Sequence, residues 1–358
     1  ADRAPSSAQT LPPSPPAISG IAGQGCVPDG SMGPTNALRQ KGDGSVAFWR
    51  RAKGEQAQQP DPELDFLTEQ QGARLRELAR EAFAEAGVEV LPHAQHLEAS
   101  DGRQFGLWNL AATCAQAPGG EADWPEIVRE HVASATRSME APPLTDLPEH
   151  EILAGVFLRV MGTATLPPQW REWYSYARPV AGDLVEVLAL DLPDSVTVLR
   201  DEDVDRVGED RLREAGLRNL LAEPIQSYEV AGEPGSGALH IVEGDSYFTA
   251  SKLITFREVL EATWGRGDLS HGVVVAAPIR HMLLFHPIEG IDVLDGVQRL
   301  TGLTASLFGD APGGVSPFVY WWRDGELTQL SGYDDEGRLQ VMVGDELTEV
   351  LEELAARA

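Results

Sequence analysis

A serine that attacks an ester needs a neighbouring base to take its proton and donors to hold the developing oxyanion. Two segments offer the side chains for this: Gly244-Asp245-Ser246-Tyr247 and Asp268-Leu-Ser-His271. Ser246 would be the nucleophile, with His271 and Asp245 aiding it. Gly-Asp-Ser is equally the composition of a hairpin turn, and that reading is preferred. For metals, His93-Ala-Gln-His96 and the pair His281 and His286 each offer two imidazoles, with no third ligand at a spacing that completes a tetrahedral site. Asp201, Asp203 and Asp205 open like a calcium loop, but Arg206 stands where Gly is needed and Leu212 where Glu is. Gly232-Glu-Pro-Gly235-Ser-Gly237 leads into a strand and so lacks the helix N-terminus that holds a phosphate. No metal or cofactor is expected.

Aromatic residues point to binding instead. Neighbouring residues on a strand face opposite ways, so one of Trp321 and Trp322, beside Phe318 and Tyr320, is expected to face away from the core and to serve as an interaction point. Trp170, Trp173, Tyr174 and Tyr176 form a second cluster in an irregular, Pro-flanked segment, read equally as a binding rim and as loop packing.

The chain has 358 residues, enough for one large domain or two ordinary ones. Its 56 Asp and Glu against 28 Lys and Arg give a net charge of −28, which repels nucleic-acid phosphates and anionic membranes, so no nucleic-acid partner is expected. Cys26 and Cys114 lie in unlike contexts and suggest neither a disulfide framework nor a zinc cluster; a reducing cytoplasm is the default. No apolar run approaches the ~18 residues of a membrane span: Ile152 to Met161 contains Arg159, and Gly272 to Phe285 contains Pro278, Arg280 and His281. No secretory signal is visible.

Residues 1–62 are rich in Pro, Gly, Ser and Gln and are expected to be a disordered leader, carrying a basic-aromatic island at Phe48-Trp-Arg-Arg-Ala-Lys53. A compositional break near Met32 and Val46 raises the hypothesis that the start lies upstream of the native one. Residues 63–140 read as a small helix-strand-strand-helix module. Thr68-Glu-Gln-Gln71 caps a helix that Gly87 stops, Val88 to Val90 and His96 to Ala99 are short strands, Phe105 to Cys114 returns to helix, and Pro125 opens a second amphipathic helix. The Pro-rich stretch at 141–147 is the expected boundary with a larger domain, 149–358.

In that domain Leu184 to Leu190 and Ser195 to Leu199 are strand-like, and Asp201 starts a helix towards Leu220. Strand pairs follow at Ser227–Val230 with Leu239–Val242, at Val273–Ala276 with Met282–Phe285, and at Phe318–Trp322 with Leu339–Val343. Helices follow each pair, at Phe256–Thr263, Val293–Leu307 and Glu346–Ala356. The expected fold is α+β, with largely antiparallel sheets built from repeated strand-strand-helix units.

Two resemblances bear on function. The Ser246 and His271 segments resemble the blocks of GDSL-type hydrolases, although in that family the blocks open and close the catalytic domain. More of the chain resembles the YtpQ-like family of bacterial proteins. The matching pieces are Phe105-Gly-Leu-Trp-Asn-Leu110, Ala189-Leu-Asp-Leu-Pro-Asp194, Arg213-Glu-Ala-Gly-Leu-Arg-Asn-Leu220, Gly244-Asp-Ser-Tyr-Phe-Thr-Ala-Ser251 and Ala277-Pro-Ile-Arg-His-Met-Leu-Leu284. That family has no established activity, so the resemblance implies a cytoplasmic domain and supplies no catalytic residue. The expectation is a non-catalytic protein-binding adaptor, regulator or chaperone-like module. The alternatives are a small-ester hydrolase using Ser246 and, on charge alone, an acidic decoy or immunity protein for a basic partner.

Overall fold

The structure is a computed structural model that describes residues 59–357 apart from 141, 167, 234 and 266–268. The leader to residue 58, with its aromatic island, Cys26 and the question of the start, lies outside the described residues. Its expected end at 62 is too late. Gln59 O accepts from Glu69 N, and buried Asp61 pairs with Arg76 at 2.7 Å, so the chain is already built into the fold there.

Helix α1 (Glu69–Glu85) starts at a capping box in which Gln71 N donates to Thr68 Oγ1 and Thr68 N donates to Gln71 Oε1. Strands β1 (Val90–Pro92), β2 (His96–Ala99) and β3 (Gln104–Gly106) form an antiparallel sheet, followed by α2 (Trp108–Ala115) and α3 (Trp124–Glu140). Phe105, expected to open a helix, instead sits in β3 opposite Leu97, because the pair closes over Phe83 in the module's own core. Buried Cys114 belongs to that core, and burial pushes its thiol up to about 12, so it is an inert packing residue.

The next layer comprises α4 (Glu149–Gly155), β4 (Val156–Gly162), α5 (Trp170–Trp173), β5 (Arg178–Ala181), β6 (Leu184–Leu192), β7 (Ser195–Val198), α6 (Asp201–Val207) and α7 (Glu209–Ala222). Strand β6 runs down the middle, paired along one edge with β4 and along the other with β5 and then β7. The single helix expected from Asp201 breaks at Gly208, whose φ is +102°.

Beyond it come β8 (Ser227–Ala231), β9 (Leu239–Glu243), α8 (Phe256–Trp264), β10 (Val273–Ala276), β11 (Met282–Pro287), α9 (Val293–Asp310), β12 (Val319–Arg323), β13 (Glu326–Gln329), β14 (Ser331–Tyr333), β15 (Leu339–Val341) and α10 (Asp345–Arg357). Six of these strands form one antiparallel sheet, in the order β13-β12-β10-β11-β9-β8. Alternation along β10 decides how it is covered. Val273 and Val275 pack with Phe256 and Leu260 of α8, whereas Val274 and Ala276 pack with Leu300 of α9 and Val350 of α10. The architecture is α+β with antiparallel sheets. The expected pairing of Phe318–Trp322 with Leu339–Val343 does not occur. Asp324 and Gly325 both have positive φ, so β12 turns back at once into β13, and β15 pairs with β14.

Tyr320 ties this sheet to the turn before β6. Its hydroxyl donates to Asp183 and lies 2.7 Å from Ser316 Oγ, and burial raises the Asp183 carboxyl above the ordinary range. Tyr320→Phe is expected to cost ~1–3 kcal/mol in urea unfolding at neutral pH by leaving a buried carboxylate short of a donor. Because the raised carboxyl is protonated in acid, the deficit should shrink as pH falls. A deficit unchanged with pH would show that Asp183 does not set it.

Candidate functional site

The fold separates the residues of the serine reading. Ser246 follows β9, whose Glu243 is opposite Met282 at the start of β11, while His271 precedes Val273, which is opposite Pro287 at the end of β11. The two therefore lie at opposite ends of that strand, about 17 Å apart at ~3.4 Å per residue. Ser246 Oγ accepts from Phe248 N, and Ser246 O from Thr249, so Gly244 to Thr249 is a hydrogen-bonded turn. Asp245 is exposed, and its backbone N donates to Gln226. Asp268 lies outside the described residues.

The aromatic strand is not an exposed site. Trp321 and Trp322 do face opposite ways, but they are only 5% and 4% exposed, and Tyr320 is fully buried, because helices cover both faces of the sheet. Phe256 meets Trp322 edge-on, and Trp321 Nε1 donates to His271 O at 2.9 Å. In the other cluster Tyr174 is buried between Trp173 and Tyr176, while half-buried Trp170 and Trp173 lie under the guanidinium groups of Arg171 and Arg200. The exposed apolar side chains are elsewhere, including Tyr333, Val341, Met342 and Val343 at the β14–β15 hairpin. Alternation in the sequence does not mark them, because an apolar strand reads the same whether or not anything covers it.

What the chain does bring together is Gly244-Asp-Ser-Tyr-Phe and Ala277-Pro-Ile-Arg-His281. Backbone bonds stitch the second segment in place: His281 O accepts from Gly244 N, Arg280 O from Ala250 N, and Gly313 O from Arg280 N. Gly313 has φ +79°, and a Cβ there would fall 2.9 Å from three atoms of the Arg280 side chain, so only glycine lets the arginine pass. Asn109 of α2 reaches across from the N-terminal module to accept from Gly313 N at 3.0 Å.

Arg280 is 3% exposed, and its guanidinium lies 4.2 Å from the centroid of the Tyr247 ring. Its Nε donates to His281 Nε2 at 2.9 Å, which leaves His281 Nδ1 to donate to Gly244 O. Arg159, on β4, is 5% exposed and near enough to be repelled by Arg280. The Nη1 atoms of both arginines are buried without a hydrogen-bond partner, and among the described residues neither arginine has a carboxylate within ion-pair distance. Burial, then the charge of Arg280, lower Arg159 to about 10 and hold His281 and His131 of α3 at about 4. At neutral pH the cluster is thus two cations beside neutral imidazoles, and Tyr247, His281 and His131 are half-buried.

Two buried guanidinium groups without a carboxylate partner are costly, and an oxyanion accepting from them would relieve that cost. No protein-family model, curated protein or solved structure matches this chain. The site therefore stands on its own geometry. Sequence reasoning singled out Arg159 and Arg280 only as interruptions of apolar runs, which was the signal available: an arginine within a strand apolar on either side must find a partner or hold one in reserve.

A cleft of about 610 Å³ between α8, β5 and the β12–β13 turn is lined by Glu186, Glu258 and Glu326. Its half-buried acid is already satisfied, since Glu186 pairs with Arg213.

Proposed function

We propose that this chain is a cytoplasmic, non-catalytic binding module whose recognition centre is the Arg159–Arg280 pair. The observation that carries this reading is the pair of orphaned, buried Nη1 atoms with no carboxylate beside them. The partner presents one oxyanion, a phosphate or a carboxylate, in otherwise neutral or basic surroundings. A net charge of −28 would repel a partner carrying many negative charges, whereas a single group is admitted once it lies within the ~8 Å over which exposed charges are felt in physiological salt. Half-buried Tyr247 and His281 are where such a group would enter, and both belong to segments that carry the YtpQ-like resemblance.

Calorimetric titration with inorganic phosphate and with acetate, at constant ionic strength set by chloride, tests the reading and separates the two oxyanions. The expected result is saturable binding of one of them, lost in both Arg159→Met and Arg280→Met. Responses to phosphate and acetate no different from that to chloride would overturn it.

A further inference from the structure

The turn joining β1 to β2 assembles a ligand set that the spacing of its histidines did not suggest. His93 N donates to His96 O at 2.8 Å, closing the turn, and the two imidazole rings stack with centroids 4.6 Å apart. Glu98 comes two residues after His96 and so projects from the same face of β2. Its Oε2 lies 3.3 Å from His93 Nε2 and 4.0 Å from His96 Nε2. Among the described residues this is the one group of three His, Cys, Asp or Glu whose ligand atoms all lie within 4.8 Å of one another.

Those separations suit a metal. Ligands at ~2.0–2.1 Å around a tetrahedral zinc ion lie about 3.3–3.4 Å from each other. The His93–Glu98 separation already has that value, and His96 Nε2, 4.0 Å from the same carboxylate oxygen, must close in by a side-chain adjustment. His96 Nε2 is buried, and no protein group among the described residues gives it a hydrogen bond. The turn itself is clamped from outside the set: Arg76 of α1 donates to Ala94 O at 2.6 Å, and Gln95 donates to Glu63. The three ligand side chains are therefore held on a fixed backbone.

We propose that His93, His96 and Glu98 form a site for a divalent transition-metal ion, zinc being the best match to two imidazoles and one carboxylate. The half-exposed His93 and Glu98 side chains leave a fourth position facing solvent, open to water or to a donor from a partner. The site is independent of the arginine pair, which shares no residue with it.

The test is calorimetric titration of tag-free, chelator-treated full chain with Zn2+, and with Co2+ followed by visible absorption. One ion per chain is expected, with the strong visible bands of four-coordinate Co2+. Glu98→Gln should weaken binding by more than about tenfold, the loss already typical of removing an outer partner of a ligand. His93→Asn/His96→Asn should abolish it, with circular dichroism unchanged because the turn is held by Arg76 and Gln95. No saturable one-to-one binding, or binding equal in the double variant, would overturn the proposal.

Discussion

Arg159→Met is expected to raise the unfolding free energy of the ligand-free protein by about 3 kcal/mol at pH 7 while abolishing its response to oxyanions. Arg159 is buried in β4 with Nη1 unpartnered and Arg280 close by. Burial first, and that neighbouring cation second, lower its pKa to about 10, which means the fold disfavours its charged form. For a base depressed in this way the penalty is fully present below the folded pKa and is relieved only as pH rises from about 10 towards the ordinary arginine value. Neutral pH lies well inside the penalised range. Methionine keeps the unbranched length and buries it without desolvating a charge. The gain corresponds to a rise in Tm of roughly 6–12 °C, at ~2–4 °C per kcal/mol for a chain of this order of size. Urea unfolding at pH 7, with and without phosphate or acetate, measures both halves of the expectation. A loss of stability would mean that the remaining contacts of Arg159 outweigh its desolvation, and the case for a cation held in reserve for a ligand would fall with it.

Gly272→Ala is expected to cost about 4 kcal/mol, a large part of the ~5–15 kcal/mol that holds a typical domain together. Gly272 leads into β10 with φ +75°, and a Cβ there would lie 2.3 Å from Trp322 O and 2.9 Å from Trp321 Nε1. The first of these is backbone, so β12 must shift as a strand, breaking register with β10 and the bond from Trp321 to His271 O. Gly265 isolates the backbone part, since its φ is +72° and among the described residues nothing lies within 4 Å of its would-be Cβ. Gly265→Ala should therefore cost only the backbone strain of ~1–2 kcal/mol, and Gly272→Ala a further ~1–3 kcal/mol for overpacking. Urea unfolding followed by tryptophan fluorescence compares the two directly; equal losses would show that β12 absorbs the contact freely.

Local signals were read with success where a short segment fixes its own conformation. Thr68 and Gln71 announced α1, and the alternating or continuous apolar runs of Val273–Ala276 and Met282–Phe285 announced β10 and β11. Pairing was harder. Asp324-Gly325 carries a hairpin signal, but the run from Phe318 to Trp322 was matched to Leu339–Val343, because a strand's partner is set by turn geometry and by the whole sheet. Strand β4 is not assigned from the sequence, and the Arg159 that interrupts its apolar run marks the candidate site. The tryptophans are buried for a tertiary reason. Alternation gives the two faces of a strand but not what covers each, and α8, α9 and α10 come from segments on both sides of β12 in the sequence. The arginine pair joins residues brought together by β4 and the β10–β11 loop, with Asn109 anchoring Gly313 from another module, a convergence that no local spacing records.

The order of strands in the large sheet also bears on how the protein is made. Strand β10 gains its first partner, β11, almost at once, but its other edge waits for β12, on the far side of α9. A nascent chain emerging from the ribosome thus carries Val273–Ala276, apolar on both faces, with one row of amides and carbonyls unpaired until Arg323 is made. At ~5–20 residues per second that interval is roughly 2–9 s, so this edge is the one exposed longest during synthesis, and a truncation before Val319 would leave it permanently open to pairing with other chains.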